Sequence, residues 1–245
     1  MFNLEKLSQQ KIKDLKKLQL KKHRDAEQLL YLEGETLIAD LLQEFPQYIV
    51  SLIVQEQHAP AFEYLGFPLL TASNQDLEKL TQLKTPKKVN AVVRYPKALS
   101  WQNGQKALLL DQIQDPGNLG TIIRSADWFG IEHIFCASGT ADYLNPKVIH
   151  ASMVSAFRVN IHYQDLGPLI AQHPDLTYGA FMDGTDLAQV APESIQFLVL
   201  GHEGHGISPA VAKQLQNRIG IPRKGKAESL NVAVAAGILL KHISK

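Results

Sequence analysis

Three glycine-rich stretches hold most of the residues in this 245-residue chain that could do chemistry. The first is Asp115-Pro116-Gly117-Asn118-Leu119-Gly120-Thr121-Ile122-Ile123-Arg124-Ser125-Ala126. The second is Leu200-Gly201-His202-Glu203-Gly204-His205-Gly206-Ile207-Ser208. The third runs Ile221-Pro222-Arg223-Lys224-Gly225-Lys226-Ala227-Glu228-Ser229-Leu230-Asn231-Val232. Between them they supply a guanidinium, carboxylates, amides, hydroxyls and a backbone that glycine lets lie close to a ligand. Several chemistries fail on spacing. Gly201, Gly204 and Gly206 reverse the G-x-G-x-x-G order of a dinucleotide loop. Gly220, Gly225 and Lys226 fit a phosphate loop, but Ala227 stands where a hydroxyl must meet magnesium. Pro222 also removes an amide that could cradle phosphate. His202-Glu203-Gly204-His205 sets its histidines three apart among glycines, not four apart on a helix, so no metal site is expected.

The elements around these loops are read from periodicity. Apolar runs of strand length are expected at Ala107–Leu110, Ile131–Cys136, Val159–His162, Tyr178–Met182, Phe197–Leu200 and Ile219–Ile221. Helical segments fall between most of them, and the last, Leu230 to Ile243, is apolar on nearly every side. Such alternation predicts an α/β domain whose mostly parallel sheet is covered on both faces. Ligands of such sheets sit at the carboxyl ends of the strands, where loops of this kind lie. The terminal helix has to be enclosed by its own domain or packed against another chain.

The first part of the chain has a different texture. A helix is expected from Ser8 to about Leu32 and another from Glu35 to Glu44, ending before Pro46. Strands come next at Tyr48–Val54 and Asn90–Tyr95, with short helices near 61–65 and 74–83. This makes a small α/β unit, and the Pro96-to-Gly104 stretch marks its boundary. Two domains are therefore expected, 1–98 and 99–245. Lys6, Lys11, Lys13, Lys16, Lys17, Lys21, Lys22 and Arg24 crowd the first of them, although the net charge is only +1. Such a cluster is either a phosphate footprint or a solvated helix face.

Composition removes other classes. The hydrophobic fraction is 45% and the charged fraction 20%, as in ordinary soluble proteins. One cysteine, Cys136, in an apolar run, excludes an internal disulfide and predicts a buried thiol. No apolar stretch approaches the roughly 20 residues of a membrane span. The start, Met1-Phe2-Asn3-Leu4-Glu5-Lys6, lacks the order of a secretory signal, so a cytoplasmic protein is expected.

Taken in order, the three stretches resemble the signature motifs of the SpoU family of RNA methyltransferases (SPOUT class, TrmH type). Asn118-x-Gly120-x-x-x-Arg124-x-Ala126 with Phe129-Gly130 is similar to the first motif. Leu200-Gly201-x-Glu203-Gly204-x-Gly206-Ile207-Ser208 is similar to the second, and Ile221-Pro222 with Ser229-Leu230-Asn231-Val232-x-Val234-Ala235 to the third. The run from Leu15-Lys16-x-Leu18 to Leu32-Glu33-Gly34 resembles that family's substrate-binding domain. The resemblance implies a catalytic domain with a deep trefoil knot and a smaller L30e-like domain that grips RNA. It also implies a homodimer and S-adenosylmethionine as methyl donor to a ribose 2′-hydroxyl. A separate RNA-gripping domain favours ribosomal RNA over tRNA, since structured RNA is recognised by shape beyond the reacting nucleotide.

By the same resemblance Arg124, Asn118, Glu203, Ser229 and Asn231 form the catalytic set. Arg124 would activate the hydroxyl directly or fix an RNA phosphate that polarises it; a guanidinium protonated at every working pH is an awkward base. Cofactor contacts would fall on Leu200, Gly201, Ile221 and Leu230, largely through backbone. Bland roles compete: Ser229 as a helix N-cap, Asn118 and Asn231 as loop supports, Glu203 as an exposed turn residue. A non-catalytic RNA-binding relative would be expected to lack Arg124, Asn118 or Glu203, and all three are present. His150, Val154, Arg223 and Ala233 depart from the family's usual residues.

Overall fold

A computed structural model describes residues 5–244 of the protein. Most of the Met1-to-Lys6 stretch, which is unlike a secretory signal in sequence, therefore lies outside the described residues. The chain divides into two compact units, Met1–Pro96 and Lys97–Lys245.

The first unit carries a five-stranded mixed sheet in the order β1-β4-β3-β5-β2. Its strands are β1 (Glu5–Lys6), β2 (Leu29–Glu33), β3 (Ile49–Gln55), β4 (Leu69–Ala72) and β5 (Val89–Arg94). Its helices are α1 (Gln9–Lys17), α2 (Lys21–Glu27), α3 (Glu35–Glu44) and α4 (Asn74–Leu80). The single helix expected from Ser8 to Leu32 is instead two helices and a strand. Leu18 turns inward at the end of α1, and the buried Arg24 reaches back to donate to the carbonyls of Leu18 (3.2 Å) and Gln19 (2.9 Å). Those carbonyls would otherwise be left over where the helix stops. Gln28 then takes a left-handed φ of 54° that ends α2 and starts β2. Arg24 is thus part of the framework, while Lys11, Lys13, Lys16, Lys17, Lys21 and Lys22 are exposed.

The second unit is a six-stranded sheet in the order β11-β9-β10-β6-β7-β8, and every pairing is parallel. Its strands are β6 (Ala107–Asp111), β7 (His133–Cys136), β8 (Asn160–Tyr163), β9 (Thr177–Asp186), β10 (Phe197–Gly201) and β11 (Asn217–Gly220). The helices are α5 (Pro116–Trp128), α6 (Pro146–Ser152), α7 (Ser155–Arg158), α8 (Gly167–Gln172), α9 (Pro209–Ala212) and α10 (Val232–Ile243). Strand alternation explains the two-sided burial. Leu108 and Leu110 of β6 enter one core with Ile122, Leu198, Ala236 and Leu240. Ala107 and Leu109 enter the opposite core with Phe197, Val199 and Ile170. Cys136 is fully buried, which pushes its thiol pKa up.

Two contacts fix the helices that carry the first and third motifs. Gly120 lets α5 pack tightly on α6, since a Cβ there would sit 2.5 Å from Ala151 Cβ and 2.6 Å from the Val148 carbonyl. Lys106 donates to the carbonyls of Pro192 and Ile243 and so ties down the C-terminal end of α10. Burial lowers its pKa.

Candidate active site

β6 and β10 are neighbours, and the loops at their carboxyl ends face each other. Asp111, buried at the end of β6, accepts from the Ser208 amide at 2.7 Å and pins the far side of the second motif. That motif closes on itself through two backbone bonds of 2.9 Å between His202 and Gly206. Gly206 takes a φ of +69°, which glycine adopts without strain. Gly201 has no room for a side chain: a Cβ would lie 2.2 Å from Gly206 C and Ile207 N. His202 Nδ1 accepts from the Gly204 amide at 2.8 Å, so its ring proton sits on Nε2, facing Gln114 Oε1 at 3.4 Å.

The first motif opens α5. Asp115 caps the helix by accepting from the Asn118 amide at 2.8 Å. The third motif opens α10, and here the cap is Asn231, whose Oδ1 accepts from the amides of Ala233 (2.9 Å) and Val234 (3.3 Å). Ser229, the N-cap considered from the sequence, is exposed and lies two residues before the true cap.

Three residues separated by 85 and 113 positions then meet. Asn231 Nδ2 donates to Asn118 Oδ1 at 2.9 Å, and Asn118 Nδ2 donates to Glu203 Oε1 at 3.0 Å. The amide orientations are mutually fixed: Asn231 spends its oxygen on the helix amides, so its nitrogen must face Asn118, whose nitrogen then meets the carboxylate. The chain of bonds runs from the positive end of α10 to the anion of Glu203. One of the two Glu203 oxygens keeps lone pairs for a ligand. This half-buried carboxylate is a held acceptor, not a free turn residue.

The structure brings Asn118, Glu203 and Asn231 together and leaves the other two catalytic candidates outside the bonded set. Arg124 lies on the third turn of α5, exposed and with no hydrogen bond or ion pair among the described residues. Six residues beyond Asn118, it is about 9 Å further along the helix axis. Ser229 sits in a run, Pro222 to Leu230, in which every residue is exposed. Within that run the one protein hydrogen bond among the described residues is from the Arg223 guanidinium to the Ala227 carbonyl, at 3.4 Å.

Of the expected cofactor contacts, Leu200 is 1% exposed, so only its backbone could meet a ligand. Ile221 packs against the domain core, and Leu230 is 50% exposed. An uncovered leucine and a run whose backbone groups, the Ala227 carbonyl apart, have no protein partner among the described residues, beside a sterically closed glycine loop, fit an adenine. Such a ring needs apolar faces and main-chain partners at its edge. An open groove of about 590 Å³ starts at Asn118 and Asn231 and follows α10 past Val234 and Ile238.

Among the departures, Val154 and Ala233 are buried and help pack the domain, while His150 is half-buried at the end of α6. No group of three or more potential metal ligands occurs among the described residues. No described helix is long and apolar enough to cross a membrane.

Comparison with known proteins gives the family. Residues 105–241 match the SpoU rRNA Methylase family, and residues 9–91 match an MRM3-like substrate binding domain. The chain belongs to the SpoU rRNA methylase family. It is 33% identical to the 23S rRNA (guanosine(2553)-2′-O)-methyltransferase RlmP of Bacillus subtilis, over 99% of each chain. It is 32% identical to the 23S rRNA (guanosine-2′-O-)-methyltransferase RlmB of Acinetobacter baylyi, over 73% of this chain and 78% of that one. Among solved structures, an AdoMet-bound rRNA methyltransferase from Sinorhizobium meliloti superposes with a TM-score of 0.82 at 28% identity. That match covers 98% of this chain and 96% of the other.

Proposed function

We propose that this protein transfers a methyl group from S-adenosylmethionine to a ribose 2′-hydroxyl of structured RNA, ribosomal RNA in preference to tRNA. The observation that carries the reading is the Asn231–Asn118–Glu203 relay, which joins all three motifs in one bonded unit. The full-length likeness to a 23S rRNA ribose methyltransferase supports ribosomal RNA as the substrate pool.

In this reading S-adenosylmethionine supplies an electrophilic methyl on sulfur. Backbone groups at Leu200 and Gly201, with Ile221 and Leu230 on either side of the adenine, hold the cofactor. Glu203, oriented by Asn118, accepts a hydrogen bond from the bound ligands and fixes their alignment. Ser229 and Asn231 position the nucleotide. Arg124, with no protein partner among the described residues, holds the RNA phosphate next to the reacting ribose, and that phosphate polarises the hydroxyl. In-line alignment of this kind contributes a large part of the rate, because a free hydroxyl is a weak nucleophile.

Residues 1–98 act as an L30e-like RNA grip through the exposed lysines of α1 and α2, and residues 99–245 as the catalytic domain. The outer face of α10, where Val234 is 52% and Ile238 38% exposed, supports a homodimer built along that helix. The return of the chain from edge strand β11 to α10, which packs on α5, supports a trefoil crossing of the third motif. We place the protein in the cytoplasm, where ribosomal RNA is made and modified.

The test is methyl transfer from labelled S-adenosylmethionine to ribosomal and transfer RNA lacking native modification, for wild type and Arg124→Ala. Label on a ribose 2′-oxygen of ribosomal RNA is expected, reduced at least about 100-fold in the variant, as for loss of one charge-stabilising donor. No transfer to either pool would overturn the enzyme reading, and transfer to tRNA alone would reassign the substrate.

A further inference from the structure

Helix α5 carries a second exposed group that the methyltransfer site does not use. At 3.6 residues per turn, Gly117, Thr121, Arg124 and Trp128 fall within an arc of about 60°. All four are exposed, so they form one continuous stripe on the protein surface. Trp128, at its end, is 83% exposed. The other tryptophan behaves quite differently: Trp101 is half-buried, donates to the Gln105 carbonyl at 3.0 Å and packs against His173 and Phe197. An indole left in water at the end of a well-packed helix gives up burial that tryptophan normally takes.

The surroundings of Trp128 say what would cover it. The preceding residue, Asp127, is bound by Ser155 Oγ at 2.6 Å and by Arg158 at 2.8 Å, so the last turn of α5 is held in place. That pairing also neutralises the carboxylate next to it in the chain. One turn back along the same stripe stands Arg124, with no protein partner among the described residues. A rigid exposed aromatic one turn from an unpaired guanidinium is the arrangement that takes up single-stranded nucleotides, base on the ring and phosphate on the cation. Four residues of helix span about 6 Å, so a phosphate held at Arg124 leaves an adjacent base within reach of the indole.

We propose that Trp128 is a stacking platform for an unpaired base flanking the methylated ribose, and so a determinant of which RNA is used. The inference rests on the methyltransfer reading for its target, but its test also reads binding directly. Wild type, Trp128→Ala and Trp128→Phe are compared on a ribosomal RNA transcript lacking modification. RNA is expected to quench the emission that wild type has and Trp128→Phe lacks. Trp128→Ala should raise the KM for RNA about 5- to 100-fold, the effect of losing one base–aromatic stack, with the change confined to KM. Phenylalanine should recover most of it, and S-adenosylmethionine binding should not move.

An unchanged KM in Trp128→Ala, or no quenching by RNA, would overturn the proposal. So would a shift to a smaller species in sedimentation by Trp128→Ala, which would assign the ring to a contact between copies of the chain. If wild type shows the quenching but transfers no methyl group, the catalytic reading fails and the stacking assignment stands.

Discussion

Asn231→Ala and Asn231→Asp should differ in stability and agree in activity, because Asn231 holds two jobs through two different atoms. Its oxygen caps α10 and its nitrogen holds Asn118. Alanine removes both. The cap contributes about 1 kcal/mol and the amide–amide bond about 0.5–1.5 kcal/mol, so Asn231→Ala should cost about 2 kcal/mol. Aspartate keeps the cap and adds a negative charge at the helix N-terminus, worth about 0.3–1 kcal/mol. Against that stands a lost donor and an oxygen facing Asn118 Oδ1, so Asn231→Asp should lie within about 1 kcal/mol of wild type. Both variants release Asn118 and thereby Glu203, and a misplacement of about 1 Å near the chemistry can cost about 100-fold in rate. The measurements are calorimetric unfolding of the full chain and labelled methyl transfer at saturating S-adenosylmethionine. A fall of about 10- to 100-fold in turnover for both variants, with only alanine destabilised, is expected. Wild-type turnover in Asn231→Asp would refute the relay and leave Asn231 a helix cap only.

Gly201→Ala should abolish S-adenosylmethionine binding measured by calorimetry, because its Cβ would lie 2.2 Å from backbone atoms of Gly206 and Ile207 and open the loop. Gly204→Ala, whose Cβ meets nothing nearer than the His202 ring at 3.5 Å, should retain binding; equal losses in both would show that steric closure is not the cause. His133 and His162 stack on neighbouring strands, with Nδ1 and Nε2 3.3 Å apart. Burial lowers the pKa of both, and their mutual repulsion lowers that of His162 further. The unfolded chain therefore binds their protons more tightly, so the stability these two histidines contribute is fully present above neutral pH and is lost as pH drops below about 6.5. His162→Phe, which keeps an aromatic ring against Phe135, should flatten that fall in melting temperature; an unchanged slope would place the acid sensitivity elsewhere.

The second unit was legible because its strands are short, apolar and evenly separated. Each of the six expected strands forms within a few residues of its predicted bounds, and all pair in parallel. The weakest boundary was that of β9, which continues through Asp183-Gly184-Thr185-Asp186. These residues carry no strand signal, and the strand continues because β11 pairs with Thr185 and Asp186 after a register shift between Arg218 and Ile219. In the first unit, the run Leu29-Leu30-Tyr31-Leu32 continued a helical pattern but formed a strand against β5. A short apolar run fits either period, and neither glycine nor proline stood at the break. The turn is made instead by Gln28 in a left-handed conformation and by Arg24, whose role as a buried clasp a basic cluster conceals.

The site shows the same division between what local pattern can carry and what it cannot. Motif order named Asn118, Glu203 and Asn231, but no spacing rule predicts that residues 85 and 113 positions apart share hydrogen bonds. Their meeting is a consequence of packing. Gly120 sets how closely α5 lies on α6, Asp111 anchors the second motif at Ser208, and α10 packs on α5. Several motif residues therefore act through structure. Gly120 and Gly201 are glycines because a side chain would collide with protein. Asp115 and Asn231 are caps that also aim the first turns of α5 and α10. The catalytic candidates left without a protein partner among the described residues, Arg124 and Ser229, are those assigned to the substrate. That contrast is what an enzyme site requires: a fixed acceptor built from satisfied groups, and beside it unsatisfied groups whose partners arrive with the RNA.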